Sequence, residues 1–171
     1  MTTLASKICI VGDFGVGKTS TVERFVNSQF SDKYLTTVGV KVDTKQLALD
    51  GYDHKLIIWD IAGTGKFGEL EFSYLKGAAG YLLVADGTRP NTVKSGQGLN
   101  KQIVERYGEL PHVVLVNKSD LKIEWEVNKD ELDLLRRDHG EVFVTSAKTG
   151  DAVERAFSVL SSQIVGKNLD T

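Results

Sequence analysis

The sequence is poor in the residues that staple small folds together. Its 171 residues include one cysteine, Cys9, along with two prolines and one methionine. A lone cysteine excludes an internal disulfide framework and a cysteine-built metal site, and it suits a reducing compartment. An excess of one charge is also missing. Lysine and arginine number 21 against 23 acidic residues, a formal net charge of −2. That balance argues against a nucleic-acid partner bound by bulk charge and against a polybasic membrane patch. No apolar run approaches the ~20 residues that span a bilayer, and no basic segment with a long apolar stretch opens the chain. Thr2 excludes N-myristoylation, and the final Asn168-Leu169-Asp170-Thr171 offers no cysteine for prenylation. The expectation is a cytoplasmic protein with no lipid anchor in this chain. The length suits a single domain over residues 1–171, and a 41% hydrophobic content is enough for one sizeable core.

Short apolar stretches at 8–11, 56–59, 81–84, 113–116 and 142–144 alternate with polar and turn-forming segments. Such runs read as strands buried on both faces, the habit of parallel sheets. Between them lie helical patterns. Val22, Phe25 and Val26 fall at i, i+3, i+4, and Val153, Ala156, Phe157, Leu160 and Ile164 make a longer stripe. Asn128 with Glu131, and Asp151 with Glu154, have the spacing of capping boxes. Asp50-Gly51 predicts a hairpin turn, so an antiparallel edge strand precedes the run at 56–59. The Gly-, Thr-, Asn- and Ser-rich stretch 87–98 predicts a late or irregular start for the helix after Pro90. The whole pattern predicts an α/β domain with helices on both faces of the sheet.

Gly12-Asp13-Phe14-Gly15-Val16-Gly17-Lys18-Thr19 fits the phosphate-binding pattern GxxxxGK[ST] without a mismatch. It follows a predicted strand and opens a predicted helix, the context the motif requires. Glycines let the backbone curl so that successive N–H groups point at phosphate oxygens, at the positive end of a helix dipole. Lys18 adds a point charge near the β- and γ-phosphates, and the Thr19 hydroxyl can ligate Mg²⁺. This loop alone does not separate ATP from GTP, or a kinase from a switch.

Discrimination comes from the far end of the chain. Asn117-Lys118-Ser119-Asp120 follows the run at 113–116, and Thr145-Ser146-Ala147-Lys148 follows the run at 142–144. Both stand at carboxyl ends of predicted strands, where ligands bind in open α/β sheets. A carboxylate at Asp120 can accept from the N1–H and N2–H₂ edge of guanine. Adenine presents no such donor pair, and its N1 acceptor would face the charge.

With these motifs in order, the sequence resembles the Ras superfamily of small GTPases over essentially its whole length. Thr37-Val38-Gly39-Val40, Lys55-Leu56-Ile57-Ile58-Trp59-Asp60 and Tyr74-Leu75-Lys76-Gly77-Ala78 resemble segments of the Rab group, and a prokaryotic-type relative without a lipidated tail is one form this could take. The resemblance implies the P-loop NTPase fold: a mostly parallel six-stranded sheet with one antiparallel edge strand and helices on both faces. It implies that Gly15, Val16, Gly17, Lys18, Thr19 and Ser20 wrap the phosphates of GTP or GDP. It further implies that Thr19 and Thr37 ligate Mg²⁺ directly, with Asp60 holding it through water. Thr37 and Gly63 would contact the γ-phosphate, and Phe30 would lie against the guanine. Asn117, Lys118, Asp120, Ser146, Ala147 and Lys148 would hold the base, with the Ala147 N–H on its O6. Lys18, Thr37, Gly63 and Thr64 form the implied catalytic set.

The chain departs from the family where water attacks. Asp60-Ile61-Ala62-Gly63 is followed by Thr64, where the family has a glutamine that orients the water. Threonine is shorter and branched, and it lacks the amide's paired donor and acceptor. Phe14 stands where the family has glycine, serine or alanine. Its ring either obstructs an arginine finger, which in this class is worth roughly 10³ to 10⁵ in rate, or turns into a neighbouring apolar patch. The expectation is slow GTP hydrolysis by a regulatory switch. A catalytically impaired, GTP-bound interaction module is the alternative, and the base-reading loops count against a third possibility, a P-loop kinase. Effectors, an exchange factor and an activating protein are implied as partners, through switch regions at about 31–41 and 63–77. Trp125 is expected to be a packed loop anchor rather than a surface contact.

Overall fold

The computed structural model describes residues 2–27, 40–61 and 67–169. Six strands form one sheet: β1 (Thr2–Val11), β2 (Val40–Leu49), β3 (Tyr52–Ile61), β4 (Gly80–Asp86), β5 (His112–Asn117) and β6 (Val142–Val144). Their order is β2-β3-β1-β4-β5-β6. β2 runs antiparallel to β3 through a turn in which Gly51 takes φ 81°, and the remaining pairings are parallel. The helices are α1 (Lys18–Asn27), α2 (Glu69–Ser73), α3 (Pro90–Tyr107), α4 (Lys129–His139) and α5 (Val153–Leu169).

Strand periodicity sorts the core into two layers. Ile8, Ile10, Leu82 and Val84 face one side and pack with Val22, Phe25, Val153, Phe157 and Leu160 of α1 and α5. Phe25 and Phe157 stack with ring centroids 3.8 Å apart. Cys9, Val11, Tyr81 and Leu83 face the other side and pack with Phe72, Val93, Leu99, Ile103 and Leu135 of α2, α3 and α4.

Several expectations are corrected. β1 begins at Thr2 and pairs with β3 from Tyr52 onward, so polar residues extend the apolar run by ladder bonding. α3 neither starts late nor breaks up: Pro90 sits in its first turn and the helix runs 18 residues. Proline's fixed φ suits that position. The Thr92 hydroxyl bonds to Asp86 and Arg89, and Val93, Leu99 and Ile103 are buried, which outweighs the poor propensity of the glycines. Asn128 caps α4 by accepting from the Glu131 N–H at 2.9 Å. Asp151 does not cap α5, because Ala152 takes φ 60° and the helix begins at Val153. The short α2 carried no clear periodic signal.

Buried polar groups remain within the layers. His54 is fully buried, with Nδ1 2.5 Å from the Ser161 hydroxyl and Nε2 2.8 Å from that of Ser6. A neutral ring meets both by donating at one nitrogen and accepting at the other. His112 and His139 sit with Nε2 and Nδ1 3.0 Å apart. Burial lowers all three histidines below the ordinary value of 6.5, and His112 lowers His139 further. The unfolded chain therefore takes up protons first as pH falls below about 6.5, and stability present above that value is lost below it. The thermal midpoint is expected to fall between pH 7 and pH 5. The fall should be smaller in His54→Gln, whose amide can still bridge the two hydroxyls; calorimetry across that range checks this.

Candidate functional site

Five strands deliver their carboxyl ends to one edge of the sheet, and each ends in a residue or loop with chemistry. β1 leads into residues 12–19. Gly12, Gly15 and Gly17 adopt φ 146°, 77° and 103°, which side-chain-bearing residues rarely take. At Gly12 a Cβ would lie 2.2 Å from the Val84 carbonyl oxygen, so β4 leaves no room for one. Lys18 is buried, and its Nζ donates to the carbonyls of Gly12 and Asp13, each at 3.0 Å. Burial pulls this ammonium down to about 8, while Asp60 and Asp13 act in the opposite direction.

Asp60, near the end of β3, is also buried. Its Oδ2 accepts from the Thr19 hydroxyl at 2.6 Å, whereas its Oδ1 is buried with no hydrogen-bond partner among the described residues. Burial raises this carboxyl above its ordinary range, and Thr19 and Lys18 oppose the rise. An orphaned carboxylate oxygen beside a hydroxyl is the hard-oxygen donor set that Mg²⁺ takes, usually keeping several waters. These two residues fit that ion.

Asn117, at the end of β5, joins the two halves of the site. Its Nδ2 donates to the Val16 carbonyl at 3.0 Å, and its Oδ1 accepts from the Thr145 hydroxyl and the Ala147 N–H, each at 3.1 Å. The Ser146 hydroxyl donates to Asp120 Oδ1 at 2.8 Å and accepts from the Thr149 N–H. Lys118 takes φ 75° and places Nζ 2.9 Å from Asp86 Oδ2. Lys148 is exposed.

The structure thus brings together Gly15, Val16, Gly17, Lys18, Thr19, Ser20, Asp60, Asn117, Lys118, Asp120, Ser146, Ala147 and Lys148 at one edge. Phe30, Thr37, Gly63 and Thr64 lie outside the described residues, as do most of 31–41 and residues 63–66 of the second switch region. Phe14 is 51% exposed and belongs to neither core cluster, so it is not packed into an apolar patch. Trp125 is a packed anchor: it is half-buried, and its Nε1 donates to the Val127 carbonyl at 2.7 Å.

Sequence reasoning missed three residues here. Arg24, on α1, donates from Nε to the Ala147 carbonyl at 2.9 Å and from Nη2 to that of Lys148. Nothing in its sequence surroundings marked it. Asp86 and Arg89 follow the buried run of β4, and the strand-end rule that located Asn117 could have located Asp86. Burial pushes the Asp86 carboxyl up, but Lys118, Thr88 and Arg89 outweigh this and hold it below its ordinary value.

A model of the Ras family matches residues 7–166. The chain belongs to the Ras family of small GTPases. It is 35% identical over 164 residues to the Ras-related protein Rab-13 of Bos taurus, covering 95% of this chain and 81% of that protein. The corresponding protein of Mesocricetus auratus is 34% identical over the same shares. That of Rattus norvegicus is 33% identical over 163 residues, covering 94% and 80%. The sheet order and the single antiparallel strand suit the P-loop GTPase fold expected for the family, and among the described residues no helix is long and apolar enough to cross a membrane.

One contrast tests the packing. A Cβ at Gly17 would lie 2.3 Å from Asn117 Nδ2, whereas one at Gly51 would meet nothing within 4 Å. Both residues have positive φ. Gly51→Ala is expected to cost only the conformational penalty, about 1–2 kcal/mol. Gly17→Ala should cost more, because it also breaks the Asn117–Val16 bond; urea unfolding of both variants checks the order.

Proposed function

We propose that the chain, acting as one G domain over residues 1–171, binds GTP and GDP with Mg²⁺ and hydrolyses GTP slowly as a regulatory switch. The observation that carries this reading is the link through Asn117 between a phosphate-type loop and two guanine-type loops. Backbone N–H groups of residues 15–20 receive the phosphates, and Lys18 meets the β- and γ-oxygens after exchanging its two carbonyl partners for phosphate. Thr19 and Thr37 would hold Mg²⁺, with Asp60 behind it, and the bound ion would supply positive charge to the phosphates. Asp120 accepts from the guanine edge, with Ser146 orienting its other oxygen. The Ala147 N–H meets O6, Lys118 and Lys148 flank the ring, and Phe30 lies against it. Thr37 and Gly63 sense the γ-phosphate, so the switch regions report nucleotide state to effectors, an exchange factor and an activating protein. Exposed Val42, bordering the first of those regions, and exposed Leu70, within the second, offer apolar contacts.

Hydrolysis is in-line attack by water on the γ-phosphate, and positioned charge stabilises the transition state. Thr64 cannot orient that water as an amide does. The half-exposed Phe14 ring favours a second reading, in which the protein stays GTP-bound and works as an interaction module.

Single-turnover hydrolysis of GTP with Mg²⁺ separates the two. Slow wild-type turnover should rise on the order of ten- to a hundredfold in Thr64→Gln, the scale of a correctly placed reactant. Phe14→Gly should restore response to an arginine-finger activator. Fast wild-type turnover would remove Thr64 from the account. Retained GTP with no turnover in any variant would favour the interaction module.

A further inference from the structure

β4 ends in a carboxylate that the phosphate and base motifs leave unexplained. The Asp86 side chain is 1% exposed. Its Oδ1 accepts from the Thr88 N–H at 2.8 Å and the Thr88 hydroxyl at 2.7 Å. Its Oδ2 accepts from Arg89 Nε at 3.0 Å and lies 2.9 Å from Lys118 Nζ. Four donors on one buried carboxylate fix its position, and the Thr92 hydroxyl holds the Asp86 backbone as well, at 2.9 Å from its nitrogen. Arg89 then uses its other end. Its Nη2 donates to the Phe14 carbonyl at 3.0 Å. One carboxylate and one guanidinium therefore span from the phosphate loop to the base loop.

Two further observations point the same way. Lys118 is held at φ 75°, a conformation a lysine keeps only where its surroundings over-determine it. Gly87, next to Asp86, lies under Trp125, whose ring atoms would be 2.0–2.4 Å from a Cβ there. The Gly87 N–H donates to the Asn117 carbonyl at 2.9 Å, and the Glu126 N–H donates to the Gly87 carbonyl at 2.8 Å. The turn between β4 and α3 is thus knitted to the base loop by backbone as well as by charge.

We propose that Asp86 and Arg89 are positioning residues that make the phosphate loop and the base loop hold guanine nucleotide as one unit. Asp86 fixes Lys118 against the base, and Arg89 ties that carboxylate to the Phe14 carbonyl. Loss of either contact lets the two ends of the nucleotide loosen separately and release faster. The inference rests on the nucleotide-binding reading above. It also distinguishes arginine from lysine at position 89, since one ammonium cannot reproduce the separate Nε and Nη2 contacts.

The test is release of a fluorescent GDP analogue from the full chain, with Mg²⁺ and excess unlabelled GDP. It compares wild type, Arg89→Ala, Arg89→Lys, Lys118→Ala and the Arg89→Ala/Lys118→Ala double variant. Arg89 is partly exposed, its side chain 43% accessible, so its removal leaves the core intact. Arg89→Ala should speed release on the order of tenfold in the wild-type background and less than about twofold in the Lys118→Ala background, as for residues sharing one network. Arg89→Lys should remain nearly as fast as Arg89→Ala. An equal acceleration in both backgrounds would be general loosening and would overturn the inference. So would wild-type release from Arg89→Ala, or full rescue by lysine. Should the wild type itself fail to retain GDP, the nucleotide-binding reading falls and takes this inference with it.

Discussion

The buried amide of Asn117 is what the carboxyl edge of the sheet depends on. It is 2% exposed, and its side chain serves three partners at once: the Val16 carbonyl, the Thr145 hydroxyl and the Ala147 N–H. Its own carbonyl accepts from Gly87. Two base loops, the phosphate loop and the turn after β4 therefore meet on one residue. A buried donor or acceptor left unmet costs about 1–3 kcal/mol, so none of these loops can shift alone without penalty. The same amide dictates the residue at position 17, because Nδ2 occupies the space a side chain would need. The glycine of the phosphate motif is thus required twice: for its backbone angle and for the neighbour one hundred residues away.

Around that hinge point the electrostatics are unfinished. Lys18 is buried against two carbonyls and Asp60 against one hydroxyl, and each carries a desolvation penalty that these partners and their mutual attraction only partly offset. Both pKa values move towards the neutral form. A polyanion beside Lys18 and a cation beside Asp60 would reverse both shifts together. This supports the proposed pairing of a phosphate ligand with a divalent ion over either one alone.

The sheet, its antiparallel edge and the strand-end placement of the two loop motifs were legible because each leaves a local signature: short apolar runs, Asp50-Gly51, GxxxxGKT and NKxD. The residues that were not legible act over distance. Arg24 reaches the base loop from another element, and no spacing rule encodes that contact. Asp86 closes an apolar run and could have been read as a strand-end ligand, but its meaning depends on Lys118 and Arg89 converging on it in space. α3 misled for the opposite reason. Its composition argues against an early, regular start, and the buried face together with Thr92 overrides it.

The two departures from the family pattern fall outside this shared framework. Phe14 contributes only its carbonyl to the Arg89 contact, and it is half exposed, outside both core clusters. In the proposed function Thr64 touches the attacking water and not the base or the phosphate cradle. Holding a nucleotide depends on interactions present in the ground state, whereas its hydrolysis depends on those made only in the transition state. On that proposal, the residues at these two positions lengthen the life of the GTP-bound form without weakening the grip proposed for Lys18, Asn117 and Asp120. In the proposed function, the contacts that join the loops and the two side chains at the hydrolytic corner therefore act on separate quantities, the first on how firmly the nucleotide is held and the second on how long it stays GTP.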